Sequence, residues 1–295
     1  MSDIVLSVRN LKKSFRKGAL RKKPVDALKG ISFEIPAGTV TGFLGANGAG
    51  KTTTIKCLLN LAFADEGEFL YFGSPTLTAE AKARIGFLPE RPYFYEYLTG
   101  REFLRFYGEL SADLKANDLK DRVSKLLKRV GLEHAGDRAL RSYSKGMLQR
   151  IGIAQALINE PAFIILDEPM TGLDPDGRFE VREIIRETAS QGTAVFFSSH
   201  LLPDAEQLCE RLVILKLGEL VFQGPMTEIL GRFETGYQLT TSQNGKRVVS
   251  SVPSSEALQA AIDQQRKTGA QVLEVKPSRL SLEEAFVKIA MGGRQ

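Results

Sequence analysis

Gly45-Ala46-Asn47-Gly48-Ala49-Gly50-Lys51-Thr52 matches the spacing G-x-x-x-x-G-K-[ST]. Glycines at these places let the backbone curl so that several N–H groups point inward, toward phosphate oxygens. The residues that follow suit a helix, whose positive N-terminal end favours the same anion. Lys51 has the reach to meet β- and γ-phosphates, and the Thr52 hydroxyl is placed to hold Mg²⁺. A second group lies far along the chain, where the apolar run Phe163 to Leu166 ends in Asp167-Glu168. An acid ending such a strand sits at the carboxyl edge of a parallel sheet, where the ligands of these sheets bind. Asp167 is placed to orient Mg²⁺ through a water, and Glu168 to take a proton from an attacking water. His200 leaves another apolar run, Ala194 to Phe197, through Ser198 and Ser199. It reaches the same edge, placed for a hydrogen bond to a γ-phosphate or to the attacking water.

Such residues need a parallel sheet to bring them together. Val40 to Leu44 reads as a short buried strand before the glycine loop, and Thr52 to Leu61 as the helix after it. Two further apolar runs joined by a helix over Arg178 to Ala189 make a βαβ unit. Ile31 to Ile35 alternates as an edge strand and stops at Pro36. The middle third is different in character, with helices expected at about 99–112, 116–130 and 145–159 and Gly131 as a C-cap. Leu212–Leu217 and Leu220–Phe222 flank Gly218-Glu219 as a hairpin. Beyond Gly231, two alternating runs flank Asn244-Gly245, a type I′ hairpin signal. A helix from Ser254 or Ser255 to Gly269, a strand Val272–Lys276 and a last helix (about Ser281–Met291) complete a small α+β appendage.

Tyr143-Ser144-Lys145-Gly146-Met147-Leu148-Gln149-Arg150, just before the acidic strand, resembles the signature motif of the ATP-binding cassette (ABC) family. The order of phosphate loop, helical part, signature, acidic strand, Gly172-Leu173-Asp174-Pro175 and His200 is similar to that family over residues about 4–230. The resemblance implies an α/β P-loop NTPase core with an antiparallel β subdomain and a helical subdomain (about 90–160). The cassette would occupy 1–232, and a small C-terminal α+β domain 233–295. It implies an ATPase using ATP and Mg²⁺, in a head-to-tail homodimer with two nucleotides sandwiched between subunits. ATP contacts then fall to Phe15, which takes the place of the adenine-stacking aromatic, and to the loop residues Gly45, Asn47, Gly48, Ala49, Gly50, Lys51, Thr52 and Thr53. Ser144 and Gly146 would meet the partner's γ-phosphate, and Asp174 would link the two sites. Ser144 is also a good N-cap for the signature helix. Thr52, Asp167 and Glu90 fall on the Mg²⁺ positions, with Glu168 and His200 on the catalytic ones.

Three departures from the family pattern stand out. Lys145 and Met147 replace a glycine and a glutamine, Glu90 replaces a glutamine, and a basic insertion runs from about Arg16 to Pro24. The first two, and the tail Leu280-Ser281-Leu282-Glu283-Glu284-Ala285-Phe286, resemble bacterial exporters whose permease is a separate six-helix subunit. The expectation is a subunit at the cytoplasmic face of the cell membrane that drives such a permease. A soluble ABC ATPase acting on ribosomes or DNA is the second reading. A nucleotide-gated binding module with little turnover is the third.

The composition fits a globular protein, with 43% hydrophobic and 25% charged residues. No apolar run approaches the roughly 18 residues that cross a bilayer. Cys57 and Cys209 fit no metal or disulfide spacing and read as reduced, buried thiols. The net charge is +5, concentrated in Lys12, Lys13, Arg16, Lys17, Arg21, Lys22 and Lys23. Two readings fit that cluster, a solvated loop or attraction to anionic lipid headgroups. Nucleic acid is not expected, since no aromatic ladder or groove-reading helix accompanies it. His134 reads as a surface residue. Tyr93, Phe94, Tyr95 and Tyr97 fit core packing as well as docking of a permease helix.

Overall fold

A computed structural model describes residues 3–17, 23–110, 116–231, 234–243, 246–279 and 281–292. The chain divides into two compact units, Met1–Gln223 and Gly224–Gln295. The first runs β1 (Ile4–Lys17), β2 (Lys23–Pro36), β3 (Val40–Leu44), α1 (Lys51–Leu58), β4 (Glu66–Tyr71), α2 (Ala79–Ala83) and β5 (Ile85–Leu88). It continues through α3 (Gly100–Glu109), α4 (Ala116–Arg129), α5 (Lys145–Ala156), β6 (Phe163–Leu166), α6 (Pro175–Ser190), β7 (Ala194–Ser199) and α7 (Leu202–Leu208). A hairpin of β8 (Arg211–Lys216) and β9 (Glu219–Pro225) ends it.

One six-stranded sheet, ordered β5-β6-β7-β3-β8-β9, carries the unit. β3 pairs in parallel with both β7 and β8, and β6 lies between β5 and β7, also in parallel. Every residue of β3, β6 and β7 is buried, as the continuous apolar runs require of strands covered on both faces. A second sheet, β2-β1-β4, is antiparallel. Ile31, Phe33 and Ile35 of β2 point into the core while Ser32 and Glu34 face out, the alternation of a half-buried edge strand. Phe33 meets Phe43 and Phe196 of the large sheet at ring-centroid distances of 5.7 and 5.8 Å. This three-ring cluster fastens one sheet to the other.

The helical part is built from local signals. Thr99 caps α3, its side chain accepting from the Glu102 N–H while Glu102 accepts from Thr99, a reciprocal capping box. Gly131 takes a φ of +67° and donates to Lys128, and the Leu132 N–H reaches Leu127 at 2.7 Å. That is a Schellman ending for α4, and it needs a residue free of Cβ strain. Helices expected to run to 61, 112 and 159 stop at Leu58, Glu109 and Ala156. After α1 the chain turns through Asn60 at a φ of +55°, a conformation asparagine tolerates better than most. Leu61 and Phe63 therefore fall outside the helix and stand exposed.

The second unit holds α8 (Met226–Gly231), β10 (Glu234–Gln243), β11 (Lys246–Val252), α9 (Ser255–Lys267), β12 (Gln271–Arg279) and α10 (Leu282–Gly292). Its sheet is ordered β11-β10-β12 and is antiparallel. Asn244-Gly245 itself lies outside the described residues, although Gln243 pairs with Lys246 on either side. Ser254 caps α9. Among the described residues, no helix is long and apolar enough to cross a membrane.

Thr99→Ala should lower unfolding free energy by about 1 kcal/mol, since the Glu102 N–H loses its partner. Urea titration measures this, and an unchanged midpoint would show that the box contributes nothing.

Candidate functional site

The ends of β3, β6 and β7 open on one cavity of about 500 Å³. Asn47, Gly48, Gly50, Lys51, Thr52, Thr53, Glu90, Glu168 and His200 line it, so most residues selected from the sequence do converge. Gly50 sits at a φ of +111°, and a Cβ there would meet the Ala27 carbonyl at 2.8 Å. Only glycine fits where β2 passes so close to the loop. Gly48 also has positive φ, but space around it is open, leaving room for a ligand against the backbone.

Lys51 starts α1 and is nearly buried, donating to the Gly45 carbonyl at 2.7 Å. Its ammonium lies 3.3 Å from Glu168 Oε1. The other oxygen of Glu168 meets His200 Nδ1 at 2.7 Å and accepts from the Thr171 hydroxyl at 2.9 Å. Glu168 adopts a φ of +54°, uncommon for a side chain this large. Neighbouring bonds hold it there. The Asp167 N–H donates to the Leu88 carbonyl, and the Glu168 N–H to Ser198 Oγ at 2.9 Å. Ser198 in turn donates to Asp167 Oδ1 at 2.6 Å.

Asp167 is 2% exposed. Burial pushes its carboxyl above the usual range, against the pull of hydrogen bonds from Ser198 and Thr52. The negative charges of Glu90 and Glu168 push the same way. No three His, Cys, Asp or Glu side chains among the described residues group as metal ligands. Thr52 and Asp167 instead form a sparse oxygen set of the kind Mg²⁺ uses when phosphates complete its shell.

Gly45, Ala49, Phe15, Ser144, Gly146 and Asp174 lie apart from the cavity lining. Ala49 is buried under the loop, and a Cβ on Gly45 would strike the Leu215 carbonyl at 2.6 Å. Phe15 is on β1, 47% exposed and paired with Val25. Ser144 caps α5 through the Met147 N–H, Asp174 caps α6 through the Gly177 N–H, and a Cβ on Gly146 would meet Ser144 Oγ at 4.0 Å. Glu90 is half exposed, with Arg91 at 4.0 Å its nearest cation. Three residues escaped the sequence reading: Ser198, Thr171 and Ala27. Ser198 and Ser199, two hydroxyls closing the apolar run of a buried strand, signal that polar partners exist but not which ones.

Elsewhere the outcomes are mixed. Cys57 and Cys209 are buried free thiols and His134 is exposed. Lys12 and Lys13 pair with Glu66 and Asp65, while Arg21, Lys22 and the tip of the basic cluster lie outside the described residues. Phe94 and Tyr95 pack on Phe103 and Phe106, whereas Tyr93 and Tyr97 are 81% and 73% exposed.

Ser198→Ala leaves an Asp167 oxygen and the Glu168 N–H unpaired in the interior, which should cost about 1–3 kcal/mol of stability. Chemical denaturation reads this directly, and wild-type stability would remove Ser198 from the support of the site.

Residues 28–171 match the family model described as ABC transporter. An uncharacterized ABC transporter ATP-binding protein of Synechocystis is 39% identical, across 96% of this chain and 84% of its own length. The bacitracin transport ATP-binding protein BcrA of Enterococcus faecalis is 31% identical, across 99% and 98%. The linearmycin resistance ATP-binding protein LnrL of Bacillus subtilis is 35% identical, across 81% and 75%. Among solved structures, cbiO1 of Clostridium perfringens, part of the ABC transporter complex cbiONQ, is 28% identical. It superposes with a TM-score of 0.68 over 78% of this chain and 91% of its own. With the phosphate loop, acidic strand and histidine gathered at one sheet edge, the chain belongs to the ABC transporter family, as an ATP-binding and ATP-hydrolysing subunit.

Proposed function

We propose that this subunit works as a homodimer with two Mg-ATP held between protomers, driving a separate membrane permease from the cytoplasmic face. The observation that carries the reading is the Glu168 carboxylate, held between Lys51 and His200 at the mouth of the phosphate loop. The triphosphate would take Lys51 away from Glu168, because phosphate oxygens offer the ammonium a stronger partner. Glu168 is then free to accept a proton from water, oriented by His200. Thr52 and Asp167, with Glu90 nearby, would hold Mg²⁺, which supplies neutralisation of charge developing on the phosphates. Gly45, Asn47, Gly48, Ala49, Gly50 and Thr53 shape the phosphate cradle, and Phe15 stacks on the base.

The second half of the site comes from the partner. Ser144 is exposed and Gly146 partly so at the positive end of α5, and both stand apart from their own protomer's cavity lining. Placed over the partner's γ-phosphate they would close the dimer, and loss of that phosphate would loosen it. Asp174, at the cap of α6, would couple the two sites. Differential affinity of this kind is what a switch requires.

BcrA is named for bacitracin transport and LnrL for linearmycin resistance, and cbiO1 is described as part of a transporter complex. These names favour export through a permease over a ribosome or nucleic-acid partner. Exposed Leu61, Phe63, Tyr93 and Tyr97 offer apolar surface for that permease. Contact of the basic cluster with anionic lipid would add to membrane attachment. We place the cassette at residues 1–232 and the accessory domain at 233–295, nine residues beyond the division between the compact units at Gln223.

Glu168→Gln should bind ATP, lose about 100-fold or more in kcat, and accumulate dimer in sedimentation runs with ATP and Mg²⁺. A persistent monomer would count against the sandwich. Ser144→Arg should leave ATP binding intact while turnover is lost, because the bulky cation obstructs the contact in trans. Normal ATPase activity in that variant would discard the role of the signature.

A further inference from the structure

β1 is not a regular strand near its end. Its pairing with β2 slips between Leu11 and Lys12 and again between Lys13 and Ser14. The carboxylate of Asp65, just ahead of β4, sits on the second slip. Asp65 Oδ2 accepts from the Ser14 N–H at 2.6 Å and from the Ser14 hydroxyl at 2.7 Å, and Oδ1 accepts from Lys13 Nζ at 2.7 Å. A strand irregularity frees a backbone donor and re-aims the side chain that follows. Here that side chain is Phe15. The Lys13 ammonium held by Asp65 also stands 5.4 Å from the centre of the Phe15 ring, within cation–π range. Phe15 and its cross-strand partner Val25 are both about half exposed. Ala27, two residues along β2 from Val25 and so roughly 7 Å away at strand rise, lines the phosphate cavity. The exposed ring thus belongs at the far end of the nucleotide from the triphosphate.

We propose that Asp65 is a positioning residue for nucleotide binding, clamping the irregular turn of β1 at Lys13 and Ser14 so that Phe15 presents its face to the base. This rests on Phe15 being the stacking residue, as proposed above. The clamp is permanent across the working pH range: hydrogen bonds from Lys13 and then Ser14 hold the Asp65 carboxyl down to about 2. Asp65 touches neither the phosphate loop nor the acids beside it, so its effect should be confined to recognition of the base.

The experiment compares binding of ATP with binding of inorganic triphosphate, which has no base, by calorimetry on the full chain, alongside ATPase kinetics. Asp65→Asn and Asp65→Ala should each weaken ATP binding and raise KM about 3- to 10-fold, leave kcat unchanged, and leave triphosphate affinity at the wild-type value. Asp65→Ala in a Phe15→Ala background should add nothing further, since the clamp acts only through that ring. Equal losses for ATP and triphosphate, or a fall in kcat, would overturn the proposal and make Asp65 a general structural residue. Unchanged ATP affinity in both Asp65 variants would overturn it too. Phe15→Ala alone separates the layers. If it leaves ATP affinity intact, the stacking assignment fails. If it weakens ATP while the Asp65 variants do not, only the clamp fails.

Discussion

A buried cation and a buried acid that cannot be kept apart organise the nucleotide face. Lys51 and Glu168 are both nearly withdrawn from water, and either charge alone would be costly there. Together they are tolerable, with the Gly45 carbonyl, Thr171 and His200 taking up the remaining hydrogen-bonding capacity. The pairing forces β3, which leads to Lys51, and β6, which leads to Glu168, to end at the same level of the sheet. β7 lies between them and delivers His200 to that level. The strand order therefore serves the charge arrangement.

The charges of the cavity also suit the proposed pairing of two chains. Glu90 and Glu168 line the cavity with Lys51, and burial, helped by those two acids, raises the Asp167 carboxyl above its usual range. A triphosphate entering such a cavity brings more negative charge than Lys51 alone offsets. Backbone N–H groups of the loop and the end of α1 supply part of the difference, and a divalent cation on Thr52 and Asp167 would supply more. The exposed end of α5, with Ser144, Gly146 and the added cation Lys145, is a remaining electropositive surface suited to the task. A cation in the first turn of a helix is locally unfavourable, which makes Lys145 easier to understand if an anion is brought to it.

Chemistry was more legible in the sequence than the frame around it. The loop from Gly45 to Thr52, the acids after Phe163–Leu166 and His200 announce themselves because phosphate binding demands particular residue types at fixed spacing. Buried strands were legible for a related reason: β3, β6 and β7 are unbroken apolar runs. β1 and β4 were not. β1 mixes Lys12, Lys13 and Arg16 with Val5, Leu6 and Val8, and its four slips against β2 break the alternation that marks a strand. Helix ends were misplaced where apolar residues continued past the true end, as at Leu61, because periodicity says nothing of the turn at Asn60. Ser198 and Asp65 could not be assigned roles from sequence, since each acts by a contact across more than 30 residues of chain.

The helices that would meet a partner are tied to one another. Arg129 of α4 reaches the Thr188 hydroxyl at 2.9 Å and lies 3.3 Å from Glu187, both on α6. Arg150 of α5 donates to the Val130 carbonyl beyond α4 and lies 3.3 Å from Glu180 of α6. Each arginine is largely buried, so these links resist screening more than surface pairs do. Ser144 begins α5 and Asp174 begins α6. In the proposed dimer, a contact on Ser144 would bear on the helix that starts at Asp174, whose preceding loop reaches Glu168 through Thr171. Ser144 and Glu168, which the proposed dimer would set against different nucleotides, are thus linked within one protomer through α4, α5 and α6.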